Sequence, residues 1–502
     1  MWERGGWATW HGMACPTALP AYSYPLTPTP GKRLVPNRRV QRIPNTAMSA
    51  YTAEAIERQI LKRRLAIALI ITIPTLLLVV FYGYHLYLEP LIRQCPRDCQ
   101  GLDLSGELLH DRSFAGFDLS NANLSMALAP DVDFTDATLY FTNFTETSLQ
   151  RASFVGSDMT GALFARADLR GADLRDTVLD GARFQGADLR EADLRGARMT
   201  SADLTGVWLR GSTIDDDTAL SAHWARMWRI VNEPIAGQDL SGVSFANANL
   251  QGIDFGTANL VEARFNNTDL RGARLANANM TAADLRKTRI DDTTTLPTTA
   301  MLVWRLHNQA QLAWQLAGTD LSREMLNGVV LQQADLSGAV LRGTSLVTSN
   351  LRDANLTGAD LRDADLTEAD LDRANLRNVD LRGANLHGAE LGLADLRDVQ
   401  LDDATVLSGT WRTVWRIVNQ GGEDLDLSGR FLGWANLAGT NLAGADLTGI
   451  DLRFADLTNA NLAGAILVDA NLANANLDGA DLTGANLTGA DLRGTGLDGA
   501  QG

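Results

Sequence analysis

The side chains that carry most protein chemistry are sparse in this 502-residue chain. Six histidines (His11, His85, His110, His223, His307 and His387) are scattered without the H-E-x-x-H spacing that would set two imidazoles on one face of a zinc-binding helix. Cys95 and Cys99 stand together in C-P-R-D-C, and two thiols are too few for a structural zinc site. Gly494, Gly496 and Gly499 match G-x-G-x-x-G by letter, but no helix pattern follows them to receive a phosphate. Asp424, Asp426 and Ser428-Gly429 open like a calcium loop, yet position twelve is Ala435 where a bidentate glutamate is required. No nucleophile or general base stands out, so the expectation is no catalytic residue, no cofactor and no metal, and a protein that is not an enzyme.

Charge is divided unevenly. Residues 1–100 carry 12 Lys+Arg against 5 Asp+Glu, which leaves 32 against 55, or −23, for the remainder. A body of that sign repels phosphate, so no nucleic-acid partner is expected.

Three segments come first. Residues 1–47 hold seven of the 13 prolines and no helical or strand period, and they read as disordered. Met48 opens a cleaner helical stretch and is an alternative start of translation. Leu65 to Tyr84 is almost wholly apolar and, at ~1.5 Å per residue, long enough for a bilayer core, so a transmembrane helix is expected over 65–87. Arg58, Lys62, Arg63 and Arg64 precede it against Arg93 and Arg97 after it, which places the N-terminus in the cytoplasm and the rest outside. There Cys95 and Cys99 have two readings, a disulfide in an oxidising compartment or two thiols.

From Leu104 a large apolar residue recurs at every fifth position, in runs of 23, 11, 17 and 15 centres; only Ala129 breaks the rule. Alanine usually stands two residues earlier, as at Ala167, Ala172, Ala354 and Ala359, with Asp or Asn between, giving A-(D/N)-L-x-x. Neither a helix nor a long strand has a period of five. In an extended segment the alanine and leucine share one face and the Asp or Asn takes the other. The last two positions, rich in Ser, Thr, Arg and Gly, turn the chain, with glycine relieving the steric cost. So short a strand cannot bury its own leucine, and the pentads must stack.

This pattern resembles the pentapeptide-repeat family, and the resemblance covers nearly all of residues 101–502. It implies an all-β fold, a right-handed quadrilateral parallel β-helix with four pentads per coil. On that geometry the 66 centres make about 16 coils and, at ~4.8 Å between strands, a rod on the order of 80 Å.

The runs are interrupted by a second repeat. Asp215-Asp216 leads to Leu220, Trp224 and Trp228-Arg229, then Asn232; Asp291-Asp292 to Leu296, Ala300 and Trp304-Arg305, then Asn308; Asp402-Asp403 to Leu407, Trp411 and Trp415-Arg416, then Asn419. The i, i+4, i+8 spacing predicts an apolar stripe on a helix of about three turns, with Ser221, Pro297 and Ser408 near its start and Gly421 at the end of the third. Trp228, Trp304 and Trp415 are candidate partner contacts, and the alternative is that they pack on the rod and seal a break in its ladder.

The expected order is therefore a disordered 1–47, a juxtamembrane helix 48–64, the transmembrane helix 65–87 and a linker 88–100. Blocks 101–214, 240–290, 316–401 and 427–502 follow, separated by helical joints 215–239, 291–315 and 402–426. Asp and Arg two apart, as in Asp168-Leu169-Arg170, predict charge ladders outside the rod. The functional expectation is a non-catalytic, single-pass membrane scaffold that contacts protein partners. The family resemblance supplies the alternative, because some pentapeptide-repeat proteins imitate DNA with an acidic rod and bind topoisomerases.

Overall fold

The computed structural model describes residues 97–502. The expected disordered segment, juxtamembrane helix and transmembrane helix, and Cys95 with the candidate Cys95–Cys99 disulfide, lie outside the described residues. Among the described residues no helix is long and apolar enough to cross a membrane, and Cys99 is buried.

The pentad Asn123–Ala127 shows why five residues close a unit. Asn123 N–H reaches back to Leu102 O at 2.9 Å, and Leu124 N–H reaches forward to Asn143 O at 2.8 Å. Ser125 N–H donates to the Asn123 side-chain oxygen at 3.2 Å. Met126 N–H bonds Thr145 O on the next coil at 2.9 Å, and Ala127 N–H closes a tight turn onto Leu124 O at 3.1 Å. Every backbone donor is satisfied, which a buried ladder demands. The Asp or Asn of the repeat is therefore more than a solvated residue, since its side chain accepts the one N–H that no carbonyl meets.

Parallel bridges pair the outward residue of each pentad with the one twenty further on, from Asp98 with Asp118 to Asp481 with Gln501, and only the last bridge before each helix spans twenty-one (Arg198 with Ala219, Arg274 with Thr295, Asn385 with Val406), so four pentads make one coil. Leucines and alanines face inward; Leu119, Leu124, Ala152, Leu361 and Ala364 are at or near zero exposure. Where threonine takes the alanine position it stays buried by bonding a carbonyl, as Thr142 does with Leu119 O at 2.8 Å and Thr147 with Leu124 O at 2.7 Å. The expectation that glycine relieves the corner is only half the account. The corner residue has positive φ at nearly every pentad, Ser201, Thr257 and Asn277 being exceptions, and Asp, Asn, Arg, Glu, Phe141 and Trp434 adopt it as well as glycine. An obligatory hydrogen bond to the next coil holds them there at a cost of about 1 kcal/mol or more each.

Three helices interrupt the coils, α1 (Ala222–Asn232), α2 (Thr298–Asn308) and α3 (Gly409–Gln420). Ser221 and Ser408 cap them by accepting from Trp224 N–H and Trp411 N–H, Pro297 occupies the same place before α2, and Gly421 ends α3 at φ 88°. The deepest face coincides with the i, i+4, i+8 stripe only at Ala300. Met227 and Ile230, Ala300, Val303 and Leu306, and Val414 and Ile417 are the buried residues, while the tryptophans flank them half-buried. A helix laid on a coil buries the arc centred on its contact line, and the bulkier indoles bridge its margin to the strand edge.

Within a block each pentad makes three backbone bonds with the next coil, whereas each joint is crossed very differently. Gly206 N–H reaches Asn247 O at 2.7 Å and Leu393 N–H reaches Trp434 O at 2.6 Å. At the second joint Ala282 N–H, at the corresponding position, donates to the Glu324 side chain at 3.1 Å instead. Among the described residues these contacts, with the Asn436 side-chain amide 3.5 Å from Leu393 O at the third joint, are what ties the backbone ladder across the seams.

Candidate interaction surface

With its interior filled, the stack can act only through its outward columns and its joints. The columns carry the expected ladders. Arg170 grips Asp168 through Nε and Nη2 at 2.8 and 2.7 Å and lies 3.7 Å from Asp188 one coil on; Arg362 repeats this on Asp360 and Asp380. Exposed pairs of this kind contribute about 0–1 kcal/mol each. The hydrogen bond from Arg195, working against partial burial, holds the Asp193 carboxyl at about 2, so this carboxylate stays ionised across the ordinary pH range.

Two acidic groupings come within 4.8 Å, His110 with Asp111 and Asp131, and Asp370 with Asp372 and Glu390. Each already holds a cation of the chain. Arg151 pairs with Asp131 at 2.5 Å, and Arg352 spans Asp370 and Asp372 at 3.3 and 2.9 Å. The remaining histidines are dispersed; His307 in α2 is the most enclosed, its Nε2 2.7 Å from Met325 O, and burial lowers its pKa.

The three joint tryptophans turn their indole N–H groups onto the coil. Trp228 donates to Ser212 O at 3.1 Å, Trp304 to Thr288 O at 2.9 Å and Trp415 to Val399 O at 2.8 Å. All three side chains are half-buried. Beside them stands a lock that sequence reading missed. Asn419 donates to Leu396 O and Trp415 O at 2.9 and 2.8 Å and accepts Asp398 N–H at 2.6 Å; Asn232 makes the same three bonds to Leu209, Trp228 and Gly211, and Asn308 bonds Leu285 O and Trp304 O. The recurrence of Asn four residues after each Trp was visible, but a polar residue at a helix end carries no sign of what it faces. Asn419→Ala is expected to loosen α3 by about 2 kcal/mol, since it removes three hydrogen bonds and leaves two part-buried carbonyls and an N–H without their partner. Hydrogen exchange over 409–420 faster by ten-fold or more checks this, and unchanged exchange would refute it.

The acidic pair preceding each helix also has a role. Asp215, Asp291 and Asp402 accept N–H groups of Gly196, Gly272 and Gly383 at 3.0, 3.1 and 3.0 Å on the previous coil, and Thr218, Thr294 and Thr405 bond the carbonyls of Leu194, Leu270 and Leu381 at 3.0 Å. They clamp the strand before it leaves the stack.

Similarity to known proteins agrees with this architecture. The family described as pentapeptide repeats matches residues 113–215, 239–294, 325–398 and 432–500. No curated protein matches the whole sequence significantly. Among solved structures, HetL, a pentapeptide repeat protein involved in heterocyst differentiation regulation in the cyanobacterium Nostoc sp. strain PCC 7120, is 21% identical, with 64% of this chain and 98% of that one covered and a TM-score of 0.20. A pentapeptide repeat protein of the Arabidopsis thaliana thylakoid lumen is 34% identical over 21% of this chain and 76% of its own, at a TM-score of 0.19. QnrB1, a plasmid-mediated fluoroquinolone resistance protein, is 15% identical over 41% and 95%, at 0.16. With the repeat matched over more than half of its residues and four pentads to every coil, the chain belongs to the pentapeptide-repeat family, whose members fold as right-handed β-helices.

Proposed function

We propose that this protein is a non-catalytic scaffold, anchored by the apolar stretch Leu65–Tyr84 and presenting its coils outside the membrane to protein partners. The observation that carries the reading is the filled interior. Side chains from four faces meet with almost no exposure along the blocks, which leaves outward columns and joints as the only surfaces on offer. The length and apolarity of residues 65–84 and the excess of preceding Arg and Lys support the anchor and its orientation. Detergent, but not high salt, is expected to release the protein from membranes, and protease added outside intact cells should degrade the repeats. Release by salt alone would remove the anchor, and digestion only after lysis would reverse the orientation.

A second reading is favoured by charge, since the −23 carried by residues 101–502 suits an acidic rod that imitates DNA before a topoisomerase. The Arg ladders work against it by pairing many of the outward carboxylates. The full chain leaving gyrase supercoiling unaltered would exclude it.

A further inference from the structure

The third joint differs from the other two. A cleft of ≈ 560 Å³ opens there, walled by Trp411 of α3 with Phe431 and Trp434 of the coil that follows. Both coil rings face solvent, Phe431 at 53% and Trp434 at 48% exposure, and Trp434 is braced from behind by Phe454, stacked at 4.3 Å and 13°. The corresponding positions are Ser244 and Asn247 after the first joint and Asp320 and Arg323 after the second, so the aromatic wall is not a requirement of joint building.

The floor is made by glycine where the backbone does not need it. Gly392 and Gly433 lie outside the positive-φ corner positions. A Cβ on Gly392 would meet Asp372 Oδ1 at 2.8 Å and Trp434 Cβ at 3.6 Å, and one on Gly433 would meet the Phe431 ring at 3.1 Å. These glycines keep space open rather than turn the chain.

The cleft's charge is unbalanced. Arg352, Asp372 and Glu390 line it, with Asp370 stacked one coil below Glu390, and the three carboxylates lie within 4.8 Å of one another. Arg352 answers the two aspartates with its one charge, and Glu390, which lines the same cleft as Phe431, has no ion pair among the described residues. Aromatic walls attract a cation through their ring faces, and a carboxylate beside them asks for N–H donors. A guanidinium supplies both, being a flat cation that stacks on rings and forks onto carboxylates, whereas a quaternary ammonium has no N–H to offer.

We infer that the cleft walled by Trp411, Phe431 and Trp434 receives an arginine side chain of a partner protein, its guanidinium stacked on the rings and bonded to Glu390. This deepens the scaffold reading and rests on it, naming the chemistry by which one joint recognises its partner.

The test uses the full chain in detergent, with N-acetyl-arginine methylamide as probe and saturation-transfer NMR as readout. Saturable binding is expected, weakened ten-fold or more by Glu390→Gln, which leaves the fold's interior untouched, and by Gly392→Val, which fills the floor. The neutral citrulline analogue should bind at least ten-fold more weakly. Equal binding of citrulline, equal or tighter binding of choline, absence of saturable binding, or indifference to both substitutions would overturn the inference. The scaffold reading is judged separately, by cross-linking partners from the first block of the anchored protein, so failure of one is distinguishable from failure of the other.

Discussion

Replacing Glu324 by glutamine is expected to stabilise the second joint by about 3 kcal/mol at pH 8 and to remove its pH dependence. Glu324 occupies an inward alanine position, is 7% exposed, and accepts Ala282 N–H across the seam. Burial pushes its carboxyl up to about 7, the backbone bond from Ala282 opposing this and the neighbouring Asp320 carboxylate adding to it. Because the folded value is raised from 4.5, the group costs nothing below pH 4.5, where both states are protonated. As pH rises toward 7 the unfolded chain sheds its proton and the folded one does not, so stability falls until both are ionised. A shift of that size amounts to about 3 kcal/mol. Glutamine keeps the acceptor for Ala282 and discards the charge. Hydrogen exchange at Ala282 and over 316–326, followed from pH 4 to 8 and corrected for intrinsic rates, should show protection declining in the natural protein and level in Glu324→Gln; parallel profiles would refute the account. His307, which abuts Met325 O, has its pKa lowered by burial, and His307→Gln serves as the control for its own titration.

The second large effect concerns the first block, where two phenylalanine columns run side by side. Phe114, Phe134 and Phe154 stack at 5.4 and 5.1 Å, and Phe144, Phe164 and Phe184 at 4.9 and 4.7 Å. Edge-to-face contacts join the columns, Phe144 to Phe154 at 5.9 Å and Phe154 to Phe164 at 6.2 Å. Phe164→Ala removes a ring with no exposure and two stacked partners, and repetitive coils held by their ladder cannot collapse to fill the void, so a loss of about 3–5 kcal/mol is expected. In a stack where units touch only neighbours, the loss should stay local. Exchange should rise over roughly 140–190 and remain unchanged beyond the second joint; a uniform rise across all blocks, or a loss under about 1 kcal/mol, would show that cooperativity or packing is not as described.

The five-residue frame was legible because each pentad repeats its own instruction: Ala152, Ser153 and Phe154 already say in, out, in. The helices were legible because the joint occurs three times with one spacing. Four pentads to the coil was not, since every pentad looks alike and the choice is made by bonds between residues twenty apart. Glu324 broke the frame at an alanine position in plain view, but an exception acquires meaning only when the neighbouring coil shows what it touches. Gly392 and Gly433 are a similar case. A glycine away from the turning corner and with ordinary φ is a signal of needed space, readable once positive φ is known to belong to the corners of the coils.

The seams also determine how the repeats bear force. Inside a block, tension between adjacent coils is shared by three backbone bonds from every pentad on four faces. At a seam it falls on one such bond, or at the second joint on a carboxylate, together with the helix contacts beside it. A tether pulled by its partners would therefore part at its joints, lengthening in discrete increments while the coils between them stay wound.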